Sequence, residues 1–139
     1  MSLRQAIEDL YFGYRAFTAL PDAILAERGL GRTHHRLLYF VCRDPGISVG
    51  ELLAVLRISK QAAHRPLREL ERHDLIAIES DGRDRRVRRL SPTARGIELE
   101  ARLSQAQMQL LEDAFSGCGP EAEAVLHQVM TRLRQGADG

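Results

Sequence analysis

Apolar residues recur at helical spacing in two long stretches, one near each end of the chain. In the first, steps of four and three residues alternate over Leu3, Ile7, Leu10, Tyr14 and Phe17, the heptad stripe of an amphipathic helix. Pro21 is expected to end or kink this helix. The second stretch shows the same alternation over residues 97–115, and Pro120 is suited to be the first residue of a last helix.

The middle of the chain predicts three short helices. Thr33 is expected to cap the first, and the turn at residues 44–46 closes it. Ser48 and Glu51 form a capping box for the second, and Ser59 caps the third. The residues expected to face inward are Leu37, Leu38 and Val41, then Leu52, Val55 and Leu56, then Ala63, Leu67 and Leu70.

A β-hairpin is predicted after these helices. Residues 75–78 and 87–90 favour strands, and Asp81-Gly82 between them favours a turn. The fold class is therefore mainly α with a small β-hairpin: a winged helix-turn-helix lobe over about residues 32–92. It is flanked by dimerisation helices over about residues 1–30 and 94–136. A lobe of this size is too small to bury both helices as well, so an isologous homodimer is expected.

Composition narrows the class of protein. The 139 residues fit one unit, and 44% are hydrophobic, typical of a folded protein. No stretch is long enough to span a membrane, and Cys42 and Cys118 have neither disulfide-framework nor zinc-finger spacing. No phosphate-binding or hydrolase motif occurs. We therefore expect a cytoplasmic protein that is not an enzyme, with no cofactor, no bound metal and no membrane partner.

The charge is unevenly distributed. The whole chain carries a net charge of +1, but residues 57–95 hold eleven Lys and Arg against six Asp and Glu. That block has a net charge of +5, which indicates a surface that meets a polyanion. Five arginines crowd into residues 83–89, where their mutual repulsion would be relieved by phosphates.

These features predict two sets of contacts with double-stranded DNA. The N-terminal half of a recognition helix reads base edges, and Gln or Arg can bond a base at two points. The recognition-helix candidates are Ser59, Lys60, Gln61, His64, Arg65 and Arg68, with the last suited to phosphates. The wing candidates are Asp81, Arg83, Asp84, Arg85 and Arg86, in which the carboxylates orient the arginines.

The chain resembles the MarR family of transcriptional regulators. The resemblance lies in residues 81–86 (DGRDRR) with 93–96 (TARG), in 48–53 (SVGELL), and in 67–72 (LRELER). It implies a homodimer on a pseudo-palindromic operator, with Arg86 and Arg83 in the minor groove and Asp84 bracing Arg86.

Three positions depart from that family's usual pattern. Pro66 is expected to bend the recognition helix, and Asp74 replaces a glycine where left-handed backbone is needed. Pro92 is expected to end the return strand of the wing early.

A small aromatic effector is a further expectation, since members of this family commonly bind one between the dimer helices and the DNA-binding lobe. An aromatic carboxylate would suit an apolar cleft in which Arg15 or a histidine pairs with its charge. The candidate lining residues are Tyr11, Phe12, Arg15, His34, His35 and Tyr39.

The sequence thus predicts a sequence-specific transcriptional regulator, a homodimeric repressor released by a small molecule or another signal. Two alternatives stay open. One is a winged-helix module that binds a protein partner, with the arginines serving solubility. The other is a sensor based on a metal, through His34 and His35, or on the thiol of Cys42 or Cys118.

Overall fold

The computed structural model describes residues 2–138 and consists of six helices and a small sheet. The helices are α1 (Leu3–Ala26), α2 (Arg32–Arg43), α3 (Val49–Leu56), α4 (Lys60–Arg72), α5 (Ala94–Ser116) and α6 (Ala122–Asp138). The strands are β1 (Ile47–Ser48), β2 (Ile76–Ser80) and β3 (Arg88–Pro92). This arrangement confirms the predicted winged helix-turn-helix class.

The wing is a three-stranded antiparallel sheet in the order β1-β3-β2. Leu90 of β3 is opposite Ile47 on one side and Ile78 on the other. Strand β1 was not predicted, because two residues are too short to show an alternating pattern. Pro92 does not end β3 early: it is the last residue of the strand and is opposite Ile76.

Hydrogen bonds to two serines and one histidine determine where the short helices begin. The Ser48 hydroxyl accepts from the Glu51 N–H at 3.1 Å, and the Ser59 hydroxyl accepts from the Ala62 N–H at 3.0 Å, which confirms both predicted caps. The prediction for α2 was wrong, since the helix begins at Arg32 rather than after Thr33. There His34 Nδ1 accepts from the Gly31 N–H at 2.9 Å.

Two helices continue past a proline in their interior. Helix α1 continues past Pro21, which has no N–H for the Phe17 carbonyl four residues earlier. The Gln107 amide of α5 donates to that carbonyl at 3.4 Å, so a distant side chain replaces the missing bond. Helix α4 likewise continues past Pro66, whereas α6 begins two residues after Pro120.

The core lies between α2, the helix-turn-helix and the sheet, and the ends of α1 and α5 close it. Leu37, Leu38, Leu70 and Leu90 are completely buried. Val55, expected to face inward, is instead 54% exposed, because α3 is only two turns long and turns a narrow face inward. In α5 the buried leucines are 99 and 103, which lie outside the predicted heptad stripe.

A close approach of two backbones joins the lobe to α5. The Thr93 N–H donates to the Leu75 carbonyl at 3.1 Å, and its hydroxyl donates to the Asp74 carbonyl at 2.6 Å. The same hydroxyl accepts from the Gly96 N–H at 3.0 Å and so caps α5. Asp74 has a φ of 59°, the left-handed backbone expected of it. We call Asp74, Leu75, Thr93 and Gly96 the α5 junction.

Substitution of Gly96 by alanine is expected to destabilise the protein. A Cβ there would lie 1.9 Å from the Leu75 carbonyl oxygen, and such overpacking costs about 1–3 kcal/mol or more. Gly50→Ala is the matched control, because it is also in the first turn of a helix and its Cβ would meet only Ser48 Oγ, at 4.0 Å. Denaturant unfolding measures both, and equal unfolding free energies for the two variants would contradict this account.

Candidate nucleic-acid interface

Helix α4 is amphipathic, with one apolar face and one polar face. Ala63, Leu67 and Leu70 are buried and pack towards α2, which confirms the predicted inward face. Arg57 precedes the helix in the left-handed conformation, with a φ of 54°, and this tight turn sets the angle between α3 and α4. The predicted contact residues on the outer face are all exposed: Ser59, Lys60, Gln61, His64, Arg65 and Arg68.

A cleft of about 570 Å³ brings part of α4 and part of the wing onto one face. Its floor is apolar and includes Leu53, Leu67 and Ile78. Its rim is mainly cationic and is formed by Lys60, His64, Arg68, Arg86 and Arg88. Gln61, Arg65, Arg83 and Arg85 are exposed outside this cleft. One cationic cleft is therefore lined by members of both predicted sets: Lys60, His64 and Arg68 from α4, and Arg86 from the wing.

Two aspartates order the tip of the wing. Asp84 Oδ1 accepts from the Arg86 N–H at 3.0 Å and from Arg86 Nε at 3.3 Å, so the predicted brace between Asp84 and Arg86 is present. Asp81 Oδ1 accepts from the Arg83 N–H at 3.0 Å. Both carboxylates thus bond within the wing, and the guanidinium of Arg86 projects from it.

Arg89 ties the wing to the helix-turn-helix, a role that the sequence analysis did not assign. Its Nε and Nη2 donate to Asp81 Oδ2 at 3.3 and 3.1 Å, and its Nη1 donates to the Gly46 carbonyl at 3.1 Å. Nη1 also lies 3.5 Å from Glu51 of the α3 capping box. Strand alternation could have revealed it, since the buried Leu90 comes next and places Arg89 on the opposite face.

These contacts hold the carboxylates of Asp81 and Glu51 in the ionised form. The Arg83 N–H and then Arg89 lower the pKa of Asp81 below its ordinary value. The Ser48 hydroxyl and N–H, with Arg89, lower the pKa of Glu51. A lowered folded-state pKa means that this contribution to stability is present at neutral pH and is lost as the pH falls through that value.

The helices outside the lobe expose a long apolar surface. Within residues 122–138, α6 buries no side chain completely, and Ile7 of α1 is 66% exposed. A second cleft of about 640 Å³ lies between α5 and α6, with Met108, Leu111 and Phe115 among its lining residues. The other exposed apolar side chains on these helices include Leu3, Leu10, Tyr14, Ile97, Val125, Leu126, Val129 and Leu133.

The predicted effector residues form two groups. On α1, Arg15 lies 6.0 Å from the Tyr11 ring and 5.9 Å from the Phe12 ring. His34, His35 and Tyr39 are on α2. Arg36 of α2 donates a hydrogen bond to the Tyr14 hydroxyl of α1 at 2.6 Å.

Both histidines are poor partners for a bound carboxylate. His34 Nδ1 already accepts from Gly31, and burial lowers the pKa of His35 despite the nearby Glu100 and Asp22. Arg15 is therefore the candidate to pair with a bound carboxylate.

The two thiols differ in their surroundings. Burial and the nearby Glu100 raise the pKa of Cys42 to about 11, so it stays a protonated thiol at neutral pH. Cys118 is exposed. Across residues 2–138, no three His, Cys, Asp or Glu residues form a group that could hold a metal ion. No helix in that part of the chain is both long enough and apolar enough to cross a bilayer.

The fold and the cationic face together define a winged helix-turn-helix protein. Residues 28–87 match the model of the MarR family. The HTH-type transcriptional regulator PetP of Rhodobacter capsulatus is 41% identical over 131 residues, which cover 94% of this chain and 79% of PetP. The chain belongs to the MarR family of winged helix-turn-helix transcriptional regulators.

Solved structures show the same fold. Streptococcus pneumoniae FabT, crystallised in complex with DNA, matches with a TM-score of 0.86 and 18% identity over 99% of this chain and 98% of FabT. A MarR-family protein from Listeria monocytogenes, complexed with a 26mer DNA, matches with a TM-score of 0.79 and 22% identity, over 94% and 87% of the two chains.

Removal of the Arg89 side chain is expected to loosen the wing. Arg89→Ala deletes the bonds to Asp81 and Gly46, so the amides of residues 79–89 should exchange with solvent about threefold faster or more. Arg88→Ala is the matched control, because it removes the same charge from an exposed neighbour on β3. Hydrogen exchange measured by NMR or mass spectrometry reports the difference. Equal exchange in the two variants would show that Arg89 does not hold the wing.

Proposed function

We propose that the protein is a sequence-specific DNA-binding transcriptional regulator that acts as a homodimeric repressor without catalytic activity. The observation that carries this proposal is the single cationic face shared by α4 and the wing. The DNA complexes of structurally similar proteins support it. A regulator of this kind would act where the DNA is, so the cytoplasm remains the expected location.

The two parts of this face have different roles in the proposal. Lys60, Gln61, His64 and Arg65 would enter the major groove and read base edges, since they occupy the N-terminal half of α4. The wing would reach the minor groove through Arg86, which Asp84 aims, and through Arg83. Ser59, Arg68 and Arg85 would contact phosphates, and Asp81 would keep the wing in shape.

A second copy of the chain is the proposed partner for the apolar surface of α1, α5 and α6. An isologous dimer would cover this surface and place two α4 helices about one helical turn of DNA apart. The operator would then be pseudo-palindromic. In such a dimer, residues of about 1–30 and 94–136 serve association while residues 32–92 bind DNA.

Release from DNA by a small aromatic effector is part of the same proposal. The exposed rings of Tyr11 and Phe12 beside Arg15 offer apolar surface next to a cation, which suits an aromatic carboxylate. His34, His35 and Tyr39 would complete the site from α2. A change in the tilt of the two lobes would break the half-site register.

Loss of Arg86 is expected to weaken binding to every DNA sequence. Each neutralised phosphate contributes about −0.9 to the slope of log affinity against log salt, so Arg86→Ala in both protomers should reduce the slope by about 2. Arg28→Ala removes the same charge outside the helix-turn-helix and wing, and should leave the slope unchanged.

Gln61→Ala should instead relax discrimination at one base position by about 1–3 kcal/mol. Fluorescence anisotropy against selected and mixed duplexes measures both effects, and a wild-type protein without salt-sensitive binding would contradict the proposal.

Charge placed on the apolar surface is expected to break the dimer. The wild type should sediment at about 31 kDa, twice the 15.6 kDa of one chain. Ile7→Glu would bury two charges in a symmetric interface and should weaken association by about 100-fold or more. Val55→Glu changes another exposed aliphatic residue outside these helices and should remain dimeric. A wild type that sediments as a monomer would overturn this part of the proposal.

A further inference from the structure

Glu69 of α4 lies between two groups that belong to different helices. Its Oε1 is 3.5 Å from Arg65 Nε on the same helix and 3.5 Å from His34 Nε2 on α2. The three side chains differ in exposure: Arg65 is 87% exposed, Glu69 22% and His34 13%. The carboxylate therefore connects an exposed arginine on the outer face of α4 to a nearly buried histidine in the first turn of α2.

The hydrogen bond that His34 accepts from Gly31 determines which nitrogen of its neutral ring carries the proton. Nδ1 accepts from the Gly31 N–H at 2.9 Å, so in the neutral ring the proton is on Nε2. Nε2 is buried, and within the described residues it makes no hydrogen bond of ordinary length. The Nε2–H therefore has the Glu69 carboxylate, at 3.5 Å, as its charged neighbour.

Helix stability does not explain the position of Glu69. A glutamate four residues after its cation is the less favourable order for such pairs on a helix. Glu69 is also in the last turn of α4, where the helix dipole disfavours a negative charge. A carboxylate on a face that meets DNA adds repulsion from phosphates as well. These costs point to a role for the side chain in holding Arg65.

The contact leaves the reading end of Arg65 available. Because the Glu69 carboxylate lies beside Nε, at 3.5 Å, the two terminal nitrogens can still donate side by side, the arrangement that bonds O6 and N7 of guanine. An arginine side chain without a partner in the unbound protein loses rotamer freedom when it contacts DNA. A side chain that a neighbouring carboxylate already orients at Nε has lost part of that freedom beforehand.

We propose that Glu69 is a positioning residue for Arg65 in base recognition and that His34 holds the Glu69 carboxylate in place. The proposal rests on the DNA-binding function proposed above. It makes specificity depend on α2, an element that does not itself provide a contact to DNA in that proposal.

The test compares Glu69→Gln with Glu71→Gln. Both changes remove one negative charge from α4, and Glu71 has its own arginine, Arg68, at 3.9 Å. Both should raise affinity for mixed DNA slightly, about two- to threefold, because phosphate repulsion falls. Only Glu69→Gln should lower discrimination at the base read by Arg65, by about three- to tenfold. In an Arg65→Ala background Glu69→Gln should have no further effect on discrimination.

Two substitutions of His34 separate its two contacts. The Asn side chain can place an acceptor near the position of Nδ1, so His34→Asn keeps the bond to Gly31 and loses the contact with Glu69. The Gln side chain can place a donor near the position of Nε2, so His34→Gln does the reverse. We expect His34→Asn to lose discrimination at a nearly unchanged melting temperature. His34→Gln should melt at a lower temperature but keep discrimination.

Each outcome supports or overturns one specific claim. If the wild type binds its operator with discrimination and Glu69→Gln discriminates equally well, Glu69 does not position Arg65. If Glu69→Gln and Glu71→Gln lose discrimination equally, the effect is one of charge alone and the proposal is wrong. A wild type without sequence discrimination would instead overturn the proposed function itself.

Discussion

The arrangement of the whole chain depends on the close approach of the Leu75 carbonyl to Gly96. At this point the exit of α4, the end of β3 and the start of α5 meet within hydrogen-bond distance, and any side chain at residue 96 would occupy the carbonyl's place. Thr93 serves both sides, since its hydroxyl donates to Asp74 and accepts from Gly96. Asp74 must be left-handed for its carbonyl to reach Thr93. The direction of the wing and the direction of α5 are therefore fixed together.

Two carboxylates of the wing, Asp81 and Asp84, determine where neighbouring arginines point. Isolated surface ion pairs contribute little to stability, so the pairs here matter for where they place the arginines. Asp84 directs Arg86 outwards, whereas Asp81 takes two bonds from Arg89 and turns it inwards to Gly46 and Glu51. One run of five arginines thus contains side chains with opposite roles.

Local signals in the sequence predicted local structure well. Caps at Ser48 and Ser59, the left-handed Asp74 and the turn of the wing each depend on a few neighbouring residues. Some errors arose where distant residues decide the outcome, whereas the start of α2 was misplaced because of a local contact between His34 and Gly31. Pro21 does not end α1, because Gln107, 86 positions later, bonds the carbonyl that the proline leaves without a donor. The stripe on α5 correctly indicated a helix, and Ile97 and Met108 of that stripe are exposed, but the sequence did not show that Leu99 and Leu103 face the core. Arg89 and Glu69 look like ordinary charges in the sequence, and only the fold shows what they contact.

The position of α5 links the two halves of the proposed function. Its first turn is bonded to the exit of α4 through Thr93, and further along it packs against α1, whose exposed stripe is the proposed dimer surface. In the proposed dimer, a change in how two protomers associate would therefore move α5 and α4 together, because the bonds of Thr93 join them at the α5 junction. On DNA the two α4 helices must match a fixed helical repeat, so a small rotation of each lobe is enough to lose the register. In the proposed regulator, the close packing at Gly96 would therefore serve regulation as well as stability.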